Sequence, residues 1–377
     1  MKKYLDIWTA RKLGLDAEHL LTRERLDCYT AQKLQQTIRL AAENSVFYRD
    51  RLKQNAEVLK QILSLEMGDK HFDLAAFWEL FEQLPFSTGQ DLHERGEDFL
   101  CVRPNEISRI VTLPTGGSMG IPKRVYFTEK DQQLTVDFFE NGMQLLADSR
   151  DKILILMPAE RPGSIGTLLA QGLSNFGAGS IRYGLPKTNW AESLQETADL
   201  LDLIRREGVS GVVALPLHMK CLAELELRQR QAAEQQKSVR EAIRLNSVLL
   251  SADYVPEDAV QLIEDVFNCH VYEHYGMTEM GLGCAVNCGQ GSGYHIRELD
   301  IYLEIIDPDT GTVIRDDRPG EIVFTTLTRE GMPFLRYRTG DHSRWILERC
   351  SCGSILKRLD KVEPRNVVKG YLRGDRK

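Results

Sequence analysis

His270-Val-Tyr-Glu-His-Tyr-Gly-Met-Thr-Glu279 changes texture in its middle. HVYEHYG, residues 270–276, is rich in β-branched and aromatic side chains and is short enough to be a buried strand. At Gly276 it gives way to the loop Met277-Thr278-Glu279. Ligands in open α/β sheets gather beyond the carboxyl ends of strands, so Tyr275, Thr278 and Glu279 bring an aromatic face, a hydroxyl and a carboxylate to the expected ligand end. Such a set suits a nucleotide with Mg²⁺, which is usually held by one or two carboxylates together with substrate phosphates. A buried tyrosine followed by an exposed Thr-Glu pair is the plainer reading of the same residues.

Working upstream, KILILMP (152–158), GVVALP (211–216) and SVLLSAD (247–253) read as further buried strands. Amphipathic helical patterns lie between them at 164–176, 192–206 and 257–267, and this alternation predicts an α/β sheet. Downstream of Gly293, DIYLEII (300–306) and EIVFTT (321–326) flank the turn signals DPDTG and RPG with no helix between them, which predicts an antiparallel β subdomain over about 284–357. Residues 16–44 read as one helix with Leu34, Ile38 and Ala41 on its apolar face. Residues 224–244, rich in Glu, Gln and Arg, read as a solvated surface helix.

Composition narrows the function classes. The 377 residues are 42% hydrophobic and 27% charged, which is globular and large enough for a substantial core. Forty-eight Lys and Arg against 55 Asp and Glu give a net charge of −7, so no global positive field is available to gather nucleic acid. No apolar run reaches the roughly 18–20 residues of a membrane helix, and the MKKYLDIW start has no apolar core after its lysines, so the expectation is a cytoplasmic protein without membrane partners. Eight scattered cysteines do not resemble a secreted disulfide framework.

Two further segments carry chemistry. Thr115-Gly116-Gly117-Ser118-Met119-Gly120-Ile121-Pro122-Lys123 follows the apolar Ile110-Val111. Its glycines let backbone approach an anion closely, Thr115 and Ser118 add hydroxyls, and Lys123 adds a compact cation. It lacks the Gly-Lys-Ser/Thr of a Walker A loop, and a plain glycine-rich turn fits it about as well. In Tyr337-Arg338-Thr339-Gly340-Asp341, the Asp341 carboxylate can accept hydrogen bonds from two ribose hydroxyls.

Together, in this order and at these separations, the three segments resemble the signature motifs of the adenylate-forming acyl-CoA ligases, most closely the phenylacetate-CoA ligase branch. ENSVFYRDRL near residue 50, LPFSTGQDL near residue 84, Ser251-Ala252-Asp253 and Lys357-Arg358-Leu359-Asp360 extend the resemblance over about 43–370. It implies the layered α/β/α large N-terminal domain of those enzymes over 1–357, followed by a hinge and short tail over 358–377. It also implies their reaction: a carboxylate attacks the α-phosphate of ATP to give an acyl-adenylate and pyrophosphate, and the thiol of coenzyme A then displaces AMP.

By the same resemblance, residues 115–123, including Gly116, Gly117, Gly120 and Lys123, would cradle the β- and γ-phosphates. Ser251, Ala252 and Asp253 would line the adenine pocket beside Tyr275, Gly276 and Met277. Thr278 would touch the α-phosphate, Glu279 would hold Mg²⁺, and Asp341 would bind the ribose with Arg358 nearby. His274 would face the acyl pocket or serve as a satisfied structural histidine, and Ser164 would border the substrate or simply cap a helix. Gly116 and Met119 replace hydroxyl residues of the family loop, which removes two potential phosphate contacts. Only 17 residues follow Asp360, where the family's C-terminal domain and its lysine would lie. The expectation is therefore an activating enzyme for a small carboxylic acid, aromatic acids included, that is incomplete unless a partner protein supplies the lysine, with a homodimer left open. The alternative is a nucleotide- or acyl-binding assembly protein without turnover.

Cys288 and His295 form a C-x6-H, and Cys350 and Cys352 a C-x-C followed by Gly353. Four such ligands suit tetrahedral Zn²⁺, with Cys284 in reserve and reduced thiols as the alternative. Relatives of the phenylacetate-CoA ligases show a similar pattern here. Cys28, Cys101, Cys221 and Cys269 read as small core hydrophobes.

Overall fold

The computed structural model describes residues 4–66, 73–113, 123–185, 194–236 and 241–363. The chain forms two compact units: Met1–Leu134, Met277–Cys284 and His295–Lys377 make the first, and Thr135–Gly276 with Ala285–Tyr294 the second.

The second unit is the predicted α/β sheet. Its strands run in the order Ala285–Val286, His270–Tyr275, Ser247–Leu250, Gly211–Ala214, Lys152–Ile155, Gly179–Arg182, and all but the first neighbouring pair are parallel. Ser247 pairs with His270, and Gly211 with Ser247. Gly211 has no room for a side chain, since a Cβ there would stand 2.7 Å from the Ile153 side chain. The central strands 211–214 and 247–250 are buried throughout, as expected where helices cover both faces of a parallel sheet.

Helices Ile165–Asn175, Leu194–Glu207 and Glu257–Phe267 occupy the predicted stretches. The last closes on Asn268 in the left-handed conformation at φ 50°, which lets the chain turn directly into the 270–275 strand. Two expectations need correction. The strands expected to reach 158, 216 and 253 end at Ile155, Ala214 and Leu250. The Glu/Gln/Arg-rich helix begins earlier, at Pro216, ends at Gln235, and buries Met219, Leu222, Ala223 and Glu226 rather than lying wholly in solvent. Glu226 tolerates burial because Arg205 and Arg230 both donate to it.

In the first unit the long helix spans Arg23–Asn44, with Leu34, Ile38 and Ala41 fully buried. Its expected start at residue 16 is corrected by Thr22, whose side chain accepts from the Arg25 N–H at 3.2 Å and caps the helix there. The predicted antiparallel β sheet has the order Val313–Ile314, Ile301–Ile306, Gly320–Thr326, Tyr337–Ser343. The DPDTG turn is tied by Asp307, whose carboxylate accepts from the N–H groups of Asp309 and Thr310. Strands Arg109–Leu113 and Lys123–Phe127 pair antiparallel, with Leu113 opposite Lys123. The expected phosphate-loop residues Thr115, Gly116, Gly117, Ser118 and Gly120 lie between them, outside the described residues. Among the described residues no helix is long and apolar enough to cross a membrane.

Candidate active site

The 270–275 strand ends where the chain leaves the second unit, and Met277-Thr278-Glu279 opens the segment that belongs to the first. Backbone bonds from Met280 and Leu282 to the Met277 carbonyl, and from Gly281 to that of Thr278, close this segment into a tight turn. The turn fixes Glu279 as a buried carboxylate. Lys123 Nζ approaches its Oε1 at 3.3 Å, and the Tyr337 hydroxyl donates to the same oxygen at 3.3 Å. A Cβ on Gly89 would stand 3.4 Å from that hydroxyl and 3.5 Å from Lys123 Nζ, in ordinary contact with both.

Arg329, which the sequence reading did not single out, fixes the backbone here. It donates to the carbonyl of Glu279 at 2.8 Å and to that of Tyr126 at 2.8 Å, with its guanidinium 4.2 Å from the centre of the Phe127 ring. Burial lowers its pKa, although the charges of Asp131 and Glu279 oppose this. Asp341 is half-buried on the 337–343 strand just after Gly340, at φ 76°. Its N–H donates to Thr339 Oγ1 at 3.0 Å, while Gly340 N–H and the Arg338 guanidinium both engage Glu321. Arg358 is buried and donates to the Glu348 carbonyl at 2.6 Å.

In the second unit, Ser251, Ala252 and Asp253 follow the 247–250 strand. Ala252 holds φ 71°, a conformation unfavourable for a residue with a Cβ and commonly kept where a loop is shaped for function. Ser251 Oγ lies 2.9 Å from His274 Nδ1. Burial pushes the His274 pKa down to about 4, so the ring is neutral near pH 7. Its buried Nε2 has no hydrogen-bond partner among the described residues. Ser164 precedes the 165–175 helix without capping it and lies 3.3 Å from Thr167 Oγ1 instead.

The ligand atoms of His295, Cys350 and Cys352 lie within 4.8 Å of one another, and Cys352 Sγ is 3.5 Å from His295 Nε2. Gly353, at φ 77°, turns the chain so that its N–H reaches the Cys350 carbonyl and the Ser354 N–H reaches Cys352 Sγ at 3.4 Å. Burial, reinforced by the Arg358 charge, lowers the His295 pKa to about 4 and favours the neutral imidazole a metal requires. Cys288 sits just upstream, in the 285–294 segment of the second unit. Cys284, the reserve ligand, is fully buried with its thiol pushed up to about 12 by burial. Cys28, Cys101, Cys221 and Cys269 are half-buried, and Cys221 and Cys269 pack against the hydrophobic core of the second unit as expected.

The Lys123–Glu279 pair includes a residue of the turn that follows a strand of a parallel sheet, the end at which ligands of such sheets gather. The chain belongs to the AMP-binding enzyme family, whose model matches residues 27–327. It is similar to the phenylacetate-coenzyme A ligase of Thermus thermophilus, at 28% identity over 370 residues covering 94% of this chain and 73% of that protein. It is also similar to that of Escherichia coli K12, at 26% identity covering 96% and 76%. Its fold matches the crystal structure of 2-hydroxyisobutyryl-CoA ligase in complex with 2-HIB-AMP and CoA, with a TM-score of 0.73 at 20% identity over 92% of this chain and 69% of that one.

Proposed function

We propose that this protein activates a small carboxylic acid with ATP as an acyl-adenylate and passes the acyl group to coenzyme A. The acid's carboxylate attacks the α-phosphorus of ATP, a P–O bond to the leaving pyrophosphate breaks, and acyl-AMP forms. The thiol sulfur of coenzyme A then attacks the acyl carbon, its proton leaves, and AMP departs. The buried Glu279 with Lys123 at 3.3 Å carries the reading, because a carboxylate and a lysine held together out of water can separate to engage a metal-bound polyphosphate.

Mg²⁺, when bound, neutralises charge on the transferring phosphates. Glu279 is the residue that would hold it, since its carboxylate is fixed by Tyr337 and its backbone by Arg329. Lys123 bonds the phosphates, together with Thr115, Gly116, Gly117, Ser118 and Gly120. Thr278 orients the α-phosphate, Tyr275 stacks on the base beside Ser251, Ala252 and Asp253, and Asp341 binds the ribose with Arg358 behind it. Phosphoryl chemistry of this kind is mostly positioning and charge neutralisation, and these residue types supply both.

The reading includes a structural Zn²⁺ held by His295, Cys350 and Cys352 with Cys288 as fourth ligand. A buried neutral imidazole and clustered thiols form a donor set that zinc prefers. It also includes a cytoplasmic location. Pyrophosphate release by the purified protein with ATP·Mg and a panel of carboxylic acids tests the core of it. No release with any acid would overturn adenylation.

A further inference from the structure

The helix Tyr4–Lys12 buries a carboxylate: Asp6 is 3% exposed and shares the buried face with Leu5, Trp8 and Ala10. A carboxylate so far from water needs donors for its oxygens. Donors to both come from the turn that carries Cys350 and Cys352, at the other end of the chain. The Ser354 hydroxyl donates to Oδ1, and the Ile355 N–H donates to Oδ2 at 3.3 Å. All of these residues belong to the first unit.

Ser354 faces two ways. Its N–H reaches Cys352 Sγ at 3.4 Å, while its hydroxyl, which also accepts from the Leu356 N–H at 3.2 Å, points its proton at Asp6. The turn before it rests on Gly353 at φ 77°, whose N–H donates to the Cys350 carbonyl at 2.9 Å. Ser351 and Gly353 are exposed, so packing contributes little to the shape of this turn. Beyond it the chain is secured separately: Ile296 N–H donates to the Lys357 carbonyl at 3.0 Å, and Lys357 N–H donates to Glu298 at 2.6 Å. A zinc that joins Cys350 and Cys352 to His295, and a carboxylate that joins Ser354 and Ile355 to the helix, therefore act on one short segment.

We infer that Asp6 is a positioning residue for the zinc site, and that zinc binding and docking of the Tyr4–Lys12 helix form one coupled equilibrium. This rests on the zinc reading above and extends it to residues that hold no metal. The reason is that one turn geometry serves both events. The conformation that presents Cys350 and Cys352 to a metal also places the Ser354 hydroxyl and the Ile355 N–H where a buried carboxylate needs them. Once zinc fixes the turn, the helix docks onto donors already in place. Once the helix has docked, zinc has less conformational freedom to remove. A hydrogen bond to sulfur also favours the thiolate that a metal requires, and the Ser354 N–H supplies one to Cys352 while Asp6 holds Ser354. Coupling of this kind is reciprocal, so each event favours the other by the same factor.

The test uses the full chain and Zn²⁺ itself. Asp6→Asn keeps the volume of the side chain but leaves only one of its two ends able to accept. Zinc affinity, read by competition with a chromogenic chelator on protein that circular dichroism shows to be folded, should fall about tenfold or more in this variant. A residue that merely stabilised the helix would lower the melting temperature and leave zinc affinity in place, and that result would overturn the inference. Hydrogen exchange of the unaltered protein gives the reverse arm. Amides of residues 8–12, which bond within the helix, should exchange about tenfold or more faster once zinc is stripped, by the reciprocity of the coupling. Those of the fully buried 320–326 strand should keep their rates. Equal acceleration in both places, or none at 8–12, would show that zinc does not act on the helix. Should Asp6→Asn fail to fold, the exchange measurement decides alone. An unaltered protein that binds no zinc defeats the zinc reading and the coupling with it, whereas zinc binding to which the helix is indifferent defeats the coupling alone.

Discussion

Lys123 and Glu279 form an ion pair at 3.3 Å in which the lysine side chain is 16% and the carboxylate 3% exposed. A salt bridge so far out of water is weak support for stability, since removing both charges from solvent offsets much of their attraction. Its value lies in holding two groups ready. Lys123 sits at the start of a strand, directly after the glycine-rich segment, while Glu279 sits in a turn anchored by Arg329. On the proposed reading, a polyphosphate that arrives with its metal would separate the two charges and engage each of them.

Glu279→Gln keeps the size of the side chain and a hydrogen-bond acceptor for Tyr337 while removing the charge. We expect pyrophosphate release to fall ~10²-fold or more, because a charge aimed at the reacting phosphates is lost. Folding stability should fall by about 2 kcal/mol, since Lys123 keeps its charge in a poorly solvated place. Rapid-quench assays and urea denaturation read the two effects separately. Unchanged pyrophosphate release would remove Glu279 from the chemistry.

Asp341→Ala is expected to weaken nucleotide binding by roughly 1.5–3 kcal/mol, as for loss of a charge-assisted hydrogen bond. Calorimetry with AMP and with ATP·Mg measures it. An unaltered affinity would sink the ribose assignment.

Purified without chelators, the protein should carry one zinc per chain. A strong chelator should lower its thermal midpoint, because structural metal binding is folding free energy. Cys350→Ser and Cys352→Ser should each lose most of the metal, and Cys288→Ser should do the same if it completes the set. Mass spectrometry of the native protein that finds no metal would exclude the site.

Folding stability should also report His274. Its pKa of about 4 in the folded protein lies below the usual histidine value of 6.5 because burial disfavours the charged ring. Between these values the unfolded chain binds more protons than the folded one. The stability contributed is therefore complete above pH ~6.5 and is lost as pH falls toward 4, at up to about 1.4 kcal/mol per pH unit. His274→Phe should flatten that part of the profile. An identical slope in the variant would show that other groups carry the acid sensitivity.

Arg336→Met tests a purely structural pair. Arg336 and Glu304 are both buried and bonded at 2.8 and 3.1 Å, and the guanidinium also donates to the carbonyl of Leu84 at 2.7 Å and lies 4.2 Å from the Phe86 ring centre. Removing the arginine leaves Glu304 unpaired, which should cost about 3–5 kcal/mol in chemical denaturation. Nucleotide affinity measured on the protein that remains folded should hardly change.

Periodicity along the chain determined the α/β sheet, the antiparallel β subdomain and the apolar face of the 23–44 helix, because buried positions recur at intervals fixed by strand and helix geometry. Local chemistry also marked Tyr275, Thr278, Glu279, Asp341 and the Cys/His ligands, since these residue types cluster within short segments. Only the folded chain decided what surrounds them. Thr22 sets where the long helix begins, and the left-handed Ala252 follows the strand that ends at Leu250. The partners of Glu279 and Glu304 lie far along the chain: Lys123 is 156 residues from Glu279, Arg329 is 50 from it, and Arg336 is 32 from Glu304. No local pattern encodes such pairings, because burial and hydrogen-bond satisfaction depend on which segments the fold brings together. The unpaired nitrogen of His274 is of the same kind: the sequence placed a histidine beside the site, and the packing of Phe138, Leu169 and Leu249 made it the polar end of an apolar cavity.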